Sequence, residues 1–71
     1  MLGDVTRFLD DICVRLGICL DPMARARIGL ARFRDEDAVE AAILEAEGID
    51  PLAMERRARH ELRQIIEEYW E

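Results

Sequence analysis

The stretch GICLDP, residues 17–22, separates two predicted helices and is the clearest local signal in the chain. Gly17 suits the left-handed backbone conformation that ends many helices. Asp21 followed by Pro22 predicts the start of the next helix, because aspartate caps free N–H groups and proline fits the first helical turn. GIDP at residues 48–51 repeats this order. We interpret the repeat as the chemistry of a good helix–helix connection; a duplicated helical hairpin is the alternative.

Hydrophobic residues recur around these two stretches with a helical period, and they make up 51% of the chain. The pattern predicts one all-α domain over residues 1–71, a small bundle of about four helices arranged as two helical hairpins. The predicted helices run from about Asp4 to Leu16, from Asp21 to Arg34, from Asp35 to Gly48, and from Asp50 to the C-terminus. The fourth would contain roughly twenty residues and reach about 30 Å at 1.5 Å per residue.

The second predicted helix has two apolar stripes on opposite sides. The first stripe contains Met23, Ala26, Leu30 and Phe33, and the second contains Ala24, Ile28 and Ala31. Arginines separate the stripes on both flanks. A helix with two apolar sides is expected to have neighbours on two sides.

The third and fourth helices each carry one predicted buried stripe. On the third helix, Leu44 is expected to point away from a stripe made of Ala38, Val39, Ala42, Ile43 and Ala46. On the fourth, one face contains Met54, Ala58, Leu62, Ile65, Ile66 and Tyr69. Oppositely charged residues four apart predict ion pairs along this helix, namely Glu55–Arg59, Arg57–Glu61 and Arg63–Glu67.

The charge balance and the missing residue types exclude several classes of function. The net charge is −6, which disfavours binding to nucleic acid by the free protein and binding to an anionic membrane. The chain has no lysine, serine or asparagine. It therefore has no serine nucleophile, serine phosphorylation site or serine for attaching a phosphopantetheine group.

The two cysteines, Cys13 and Cys19, match neither a redox motif nor a zinc site. We expect buried free thiols, with a local disulfide as the alternative. The N-terminal segment lacks the basic and apolar regions of a secretion signal, and no apolar run is long enough to cross a membrane. These observations predict a cytoplasmic protein.

Catalytic and metal-binding groups are scarce. The only histidine, His60, falls opposite the apolar face of its helix, and HELRQ at residues 60–64 has glutamine where a zinc-binding HExxH motif needs its second histidine. The acidic residues fall mostly on outward faces. We therefore expect no enzyme, no catalytic or metal-binding residues, and no cofactor.

The end of the fourth helix is the predicted contact surface, because arginine and aromatic residues are enriched in binding hot spots. The candidate partner-binding residues are Arg59, Arg63, Ile66, Tyr69 and Trp70. They favour a non-enzymatic protein–protein interaction module, such as a small adaptor, inhibitor or antitoxin-like subunit. The alternative is a small helix-turn-helix-like regulator of nucleic-acid transactions. A homodimer is also predicted, because a helix of about 30 Å would extend beyond three shorter ones and expose its apolar end.

Overall fold

The computed structural model describes all 71 residues and contains four α-helices. They are α1 (Val5–Leu16), α2 (Pro22–Leu30), α3 (Glu36–Glu47) and α4 (Arg56–Tyr69). Helix α1 packs against α2, α3 packs against α4, and α1 also crosses α4. The prediction of a small all-α bundle built from two helical hairpins is confirmed. None of the helices is both long enough and apolar enough to cross a membrane.

The helix ends that depend on local capping lie where the sequence predicts them. The side chains of Asp4, Asp21 and Asp35 each accept a hydrogen bond from the backbone N–H group three residues further along, at 2.7–3.2 Å. Gly17 and Gly48 follow α1 and α3 with φ of 72° and 68°. This is the left-handed conformation, which glycine adopts without steric strain.

Helix α2 ends at Leu30, four residues earlier than predicted. The reason lies in Phe33, which would share the outward side of α2 with Leu30 if the helix continued. The chain instead leaves the helix at Ala31, which has an extended backbone. Phe33 then turns inward and packs against the hydrophobic core.

Helix α4 begins at Arg56, so the predicted start at Asp50-Pro51 is wrong. The Asp50 carboxylate accepts a hydrogen bond from the backbone N–H of Leu52 at 3.0 Å, which closes a turn two residues long. Such side-chain turns compete with helix formation. With fourteen residues, α4 is about 21 Å long rather than about 30 Å.

The core lies between α1, α3 and α4, with Ile28 contributed by α2. Its buried side chains are Leu2, Phe8, Leu9, Ile12, Ile18, Ile28, Val39, Ile43, Leu44, Leu62, Ile65 and Ile66. Two expectations for α3 are corrected: Leu44 is buried and Ala46 is exposed. The face that α3 turns to the interior therefore carries its larger apolar side chains together with Glu40.

The two chain ends are held side by side. Leu2 and Trp70 form an isolated antiparallel bridge. The backbone N–H of Gly3 donates to the carbonyl of Tyr69, and that of Glu71 donates to the carbonyl of Met1, both at 2.7 Å. These bonds fix the end of α4 against the segment before α1.

Cys13 and Cys19 form a disulfide, so the expectation of free thiols is wrong. The left-handed conformation of Gly17 turns the chain back on itself and brings the two Cα atoms to 4.3 Å. The bridge links the last turn of α1 to the connection that leads into α2.

Reduction of this disulfide is expected to lower the free energy of unfolding by about 2 kcal/mol, because a closed loop this short restricts the unfolded chain only modestly. Urea unfolding with and without a phosphine reductant measures the change. A Cys13→Ala/Cys19→Ala variant serves as the control, since the reductant should not alter its midpoint. An unchanged midpoint for the oxidised protein would contradict the prediction.

Candidate functional site

The apolar and aromatic residues predicted to bind a partner on α4 are largely used inside the fold. Ile66 has no exposed surface. Tyr69 is half-buried, and its hydroxyl donates a hydrogen bond to the carboxylate of Asp11 on α1. Its ring meets that of Phe8 edge to face, with 5.7 Å between the ring centroids. Trp70 is half-buried and packs against the core. These side chains attach α4 to α1.

Arg59 and Arg63, the two predicted basic contact residues, converge on Glu40 of α3. Arg59 Nε donates to one carboxylate oxygen at 2.8 Å, and Arg63 Nη1 donates to the other at 2.9 Å. The Glu40 side chain is only 8% exposed. Arg63 also pairs with Asp37 at 2.5 Å, and this hydrogen bond, with the surrounding carboxylates, raises the pKa of Arg63 above its ordinary value.

This cluster replaces the ion pairs predicted along α4. The carboxylates that face Arg59 and Arg63 belong to α3, one turn apart at Asp37 and Glu40, rather than to positions four residues away on α4 itself. Arg59 and Arg63 pair with α3 rather than along α4 because Glu40 is buried, and a buried carboxylate needs a charged partner. The arginines therefore join α3 to α4.

The overhanging end of α4 on which the predicted homodimer depends is missing from the fold. Helix α4 is about 21 Å long, similar to its neighbours, and leaves no overhang. Ile65 and Ile66 are fully buried by the domain itself. The oligomeric state stays a prediction, which sedimentation equilibrium tests.

Tyr69 provides a pH-dependent contribution to stability. The hydrogen bond to Asp11, together with burial, raises the pKa of the Tyr69 hydroxyl above its ordinary value of about 10. The folded state thus holds this proton more tightly than the unfolded state. The stabilisation is complete below pH 10 and is lost as the pH rises through the pKa of the folded state.

We therefore expect the oxidised protein to lose stability as the pH rises above about 10, and Tyr69→Phe to lose less over the same range. The chain suits this experiment, because it has one tyrosine, no lysine and both cysteines in a disulfide. Urea midpoints and tyrosinate absorbance at increasing pH provide the two measurements. Parallel pH profiles for both proteins would contradict the assignment.

The outer face of α2, which consists of Met23, Ala26 and Leu30, is an apolar surface that the fold leaves uncovered. Ala24 and Ile28 point to the interior on the opposite side of this helix. Met23 is 76% exposed and Leu30 is 87% exposed. The sequence predicts two apolar sides for α2, and the fold covers only one of them.

A groove between α1 and α2 borders this outer face. Val5, Thr6 and Leu9 line it from α1, while Arg25, Ala26, Gly29 and Leu30 line it from α2. Leu9 is buried and Val5 is half-buried, so the α1 wall is largely apolar. The groove extends the apolar surface of the outer face toward the core.

Positive charge is concentrated in the same segment. Residues 22–34 contain four of the ten arginines and none of the sixteen acidic residues. Arg25 is paired with Asp10 at 2.7 Å, whereas Arg27 and Arg32 are exposed and take part in no ion pair. The Arg34 side chain is 92% exposed, and its Nε lies 3.8 Å from the carboxylate of Asp35. The outer face of α2 is therefore a basic, apolar surface on an otherwise acidic domain.

Groups for metal or catalytic chemistry are not assembled. No group of three or more His, Cys, Asp or Glu side chains is placed to hold a metal ion. His60 is exposed. The absence of enzymatic activity and of a cofactor stays a prediction from the sequence.

Comparison of the chain with protein-family models, with curated proteins and with solved structures finds no match.

Proposed function

We propose that this domain is a non-enzymatic protein-binding module and that its partner docks on the outer face of α2. The observation that carries the proposal is the two-sided apolar character of a helix that the bundle covers on one side only. Burying a leucine or methionine side chain contributes about 1.5–3 kcal/mol. A partner that covers Met23 and Leu30 would gain much of that free energy.

The surrounding charges support a protein partner. An apolar stripe between arginines matches the residue types enriched in protein interfaces. A small adaptor, inhibitor or antitoxin-like subunit acts through such a surface. The helix-turn-helix alternative has less support, because α3, the helix that would follow α2 into the groove of DNA, begins with Glu36 and Asp37 and also carries Glu45 and Glu47.

The cytoplasm remains the proposed location. There the cellular thiol pool would keep Cys13 and Cys19 reduced, since structural disulfides persist mainly in oxidising compartments. The disulfide lies at the junction of α1 and α2, not on the outer face of α2. We therefore expect partner binding in both redox forms.

Capture from cells that naturally contain the protein tests the proposal when wild type is compared with a Met23→Gln/Leu30→Gln variant. Glutamine keeps the net charge and favours helix, so the variant should stay folded by circular dichroism. Leu52→Gln is the matched control, because Leu52 is 92% exposed but lies in the turn before α4.

The captured protein must then bind the purified domain in calorimetry. We expect wild type and Leu52→Gln to bind with equal affinity and the α2 variant to bind at least about tenfold more weakly. A partner that binds all three proteins equally would refute the outer face of α2 as its docking surface.

A further inference from the structure

Gly29 is a glycine that the isolated fold does not need. Gly17 and Gly48 adopt positive φ, and Gly3 lies where a Cβ would come within 3.2 Å of the Tyr69 carbonyl oxygen. Gly29 has a helical backbone without positive φ, and a Cβ added to it would meet no atom within 4 Å. Alanine would favour this helix more than glycine does.

A glycine with no steric role inside the domain leaves space for another backbone to come close. Gly29 faces the groove beside Thr6 and Leu9, and Ala26, one turn earlier, is also small. Met23 and Leu30 stand on the adjoining outer face. The arrangement is a low point bordered by the apolar side chains of Leu9 and Leu30 and by Arg25, which is paired with Asp10, and it suits a helix crossing over α2.

The size of the surface agrees with a helical partner. Helix α2 contains nine residues and is about 13 Å long, while a helix with its side chains is about 10 Å across. One crossing helix would therefore span the outer face of α2 and contact α1 through the groove.

Charge indicates the chemistry of that helix. Arg27, Arg32 and Arg34 are exposed, and of these only Arg34 takes part in an ion pair, with Asp35 at 3.8 Å. A symmetric dimer through this surface would bring two such sets of arginines together, which is unfavourable. Carboxylates beside the apolar stripe of a different protein would complement them.

We infer that the partner presents an acidic amphipathic α-helix whose backbone crosses α2 at Gly29. This inference rests on the proposed function and specifies the partner's chemistry. Gly29 is the position of closest approach, Met23 and Leu30 supply the apolar contacts, and the arginines pair with carboxylates along the edge of the partner helix.

A displayed library of helical peptides tests the inference. Each peptide carries one apolar stripe, and the offset of the stripe along the helix differs between peptides. The flanking positions are varied among glutamate, glutamine and lysine. Selection on the wild-type domain should enrich glutamate at the flanking positions. Binding of the selected peptides should weaken as salt rises, because exposed charge pairs are screened.

Gly29→Ala separates binding from stability. We expect its melting temperature to rise by roughly 2–5 °C, because alanine favours helix. We expect its affinity for the selected peptides to fall at least about tenfold, because the added methyl group occupies the space of the crossing backbone. Leu30→Gln should also weaken binding, and Leu52→Gln should not.

The remaining outcomes each count against the inference. Enrichment of lysine, or of no charge type, would overturn the acidic partner, and an unchanged affinity of Gly29→Ala would overturn the close crossing. In another outcome, a short DNA duplex displaces the peptides through binding that requires Arg27 and Arg32. That result would indicate a nucleic-acid ligand instead of a protein partner. Peptides that require Leu30 but are not acidic would contradict only this inference, whereas an absence of peptides that depend on Leu30 would contradict the proposed function as well.

Discussion

Phe8→Ala is expected to lower the free energy of unfolding by about 3–5 kcal/mol, the range measured when a buried phenylalanine is reduced to alanine. Phe8 has no exposed surface and meets Tyr69 edge to face across the contact between α1 and α4. A domain of 71 residues has a total stability of about 4–10 kcal/mol. The substitution should therefore remove a large part of the stability, and a weakly stable domain would unfold.

Two further substitutions make this prediction specific, one at Phe8 itself and one elsewhere on α1. Phe8→Leu keeps most of the volume and should cost about 1–1.5 kcal/mol. Val14→Ala changes a residue of α1 that is 83% exposed, and it should alter stability by no more than about 0.5 kcal/mol. Urea unfolding followed by circular dichroism measures all three. A Phe8→Ala midpoint as high as that of Val14→Ala would show that α1 does not pack on α4 through this ring.

Removal of both arginines from the buried Glu40 should have the second largest effect. In Arg59→Met/Arg63→Met the carboxylate of Glu40 keeps its burial but loses both of its hydrogen-bond partners. An unpaired buried carboxylate is strongly destabilising, although half of the Arg59 side chain is exposed and water could partly replace it. We expect the free energy of unfolding at pH 7 to fall by about 2–3 kcal/mol.

A third substitution distinguishes an unpaired charge from the loss of arginine packing. Adding Glu40→Met to the double variant removes the buried charge and should restore most of the lost stability, because buried ion pairs can often be replaced by apolar residues at little cost. Arg56→Met/Arg57→Met is the matched control, since both arginines are exposed on α4 and take part in no ion pair. The cluster would have no stabilising role if the two double variants unfolded at the same denaturant concentration.

The roles of the charged and aromatic residues follow from these contacts. Arginine and aromatic side chains near the end of α4 resemble binding hot spots in composition, but in the fold they hold α4 against α1 and α3. One open surface that combines arginines with apolar side chains lies on α2. A partner helix on that face would leave the Glu40 cluster and the contact between Phe8 and Tyr69 undisturbed.

Some features of this domain are determined by residues close together in the chain. The starts of α1, α2 and α3 depend on an aspartate and an N–H group three residues away, and the ends of α1 and α3 depend on a glycine with positive φ. Such interactions need no distant partner. The sequence therefore predicts the all-α class and the bounds of α1 and α3 within a residue or so.

Other features depend on neighbours that are distant in sequence. The sequence places Leu44 outside the stripe of α3 and most acidic residues on outward faces, whereas in the fold Leu44 lies in the core and Glu40 is buried against two arginines of α4. Phe33 ends α2 early because the core can accommodate its ring. The periodicity of α2 indicates that it has two apolar sides. Only the tertiary structure decides which side is covered, because burial depends on the helices that pack nearby and not on the helix alone.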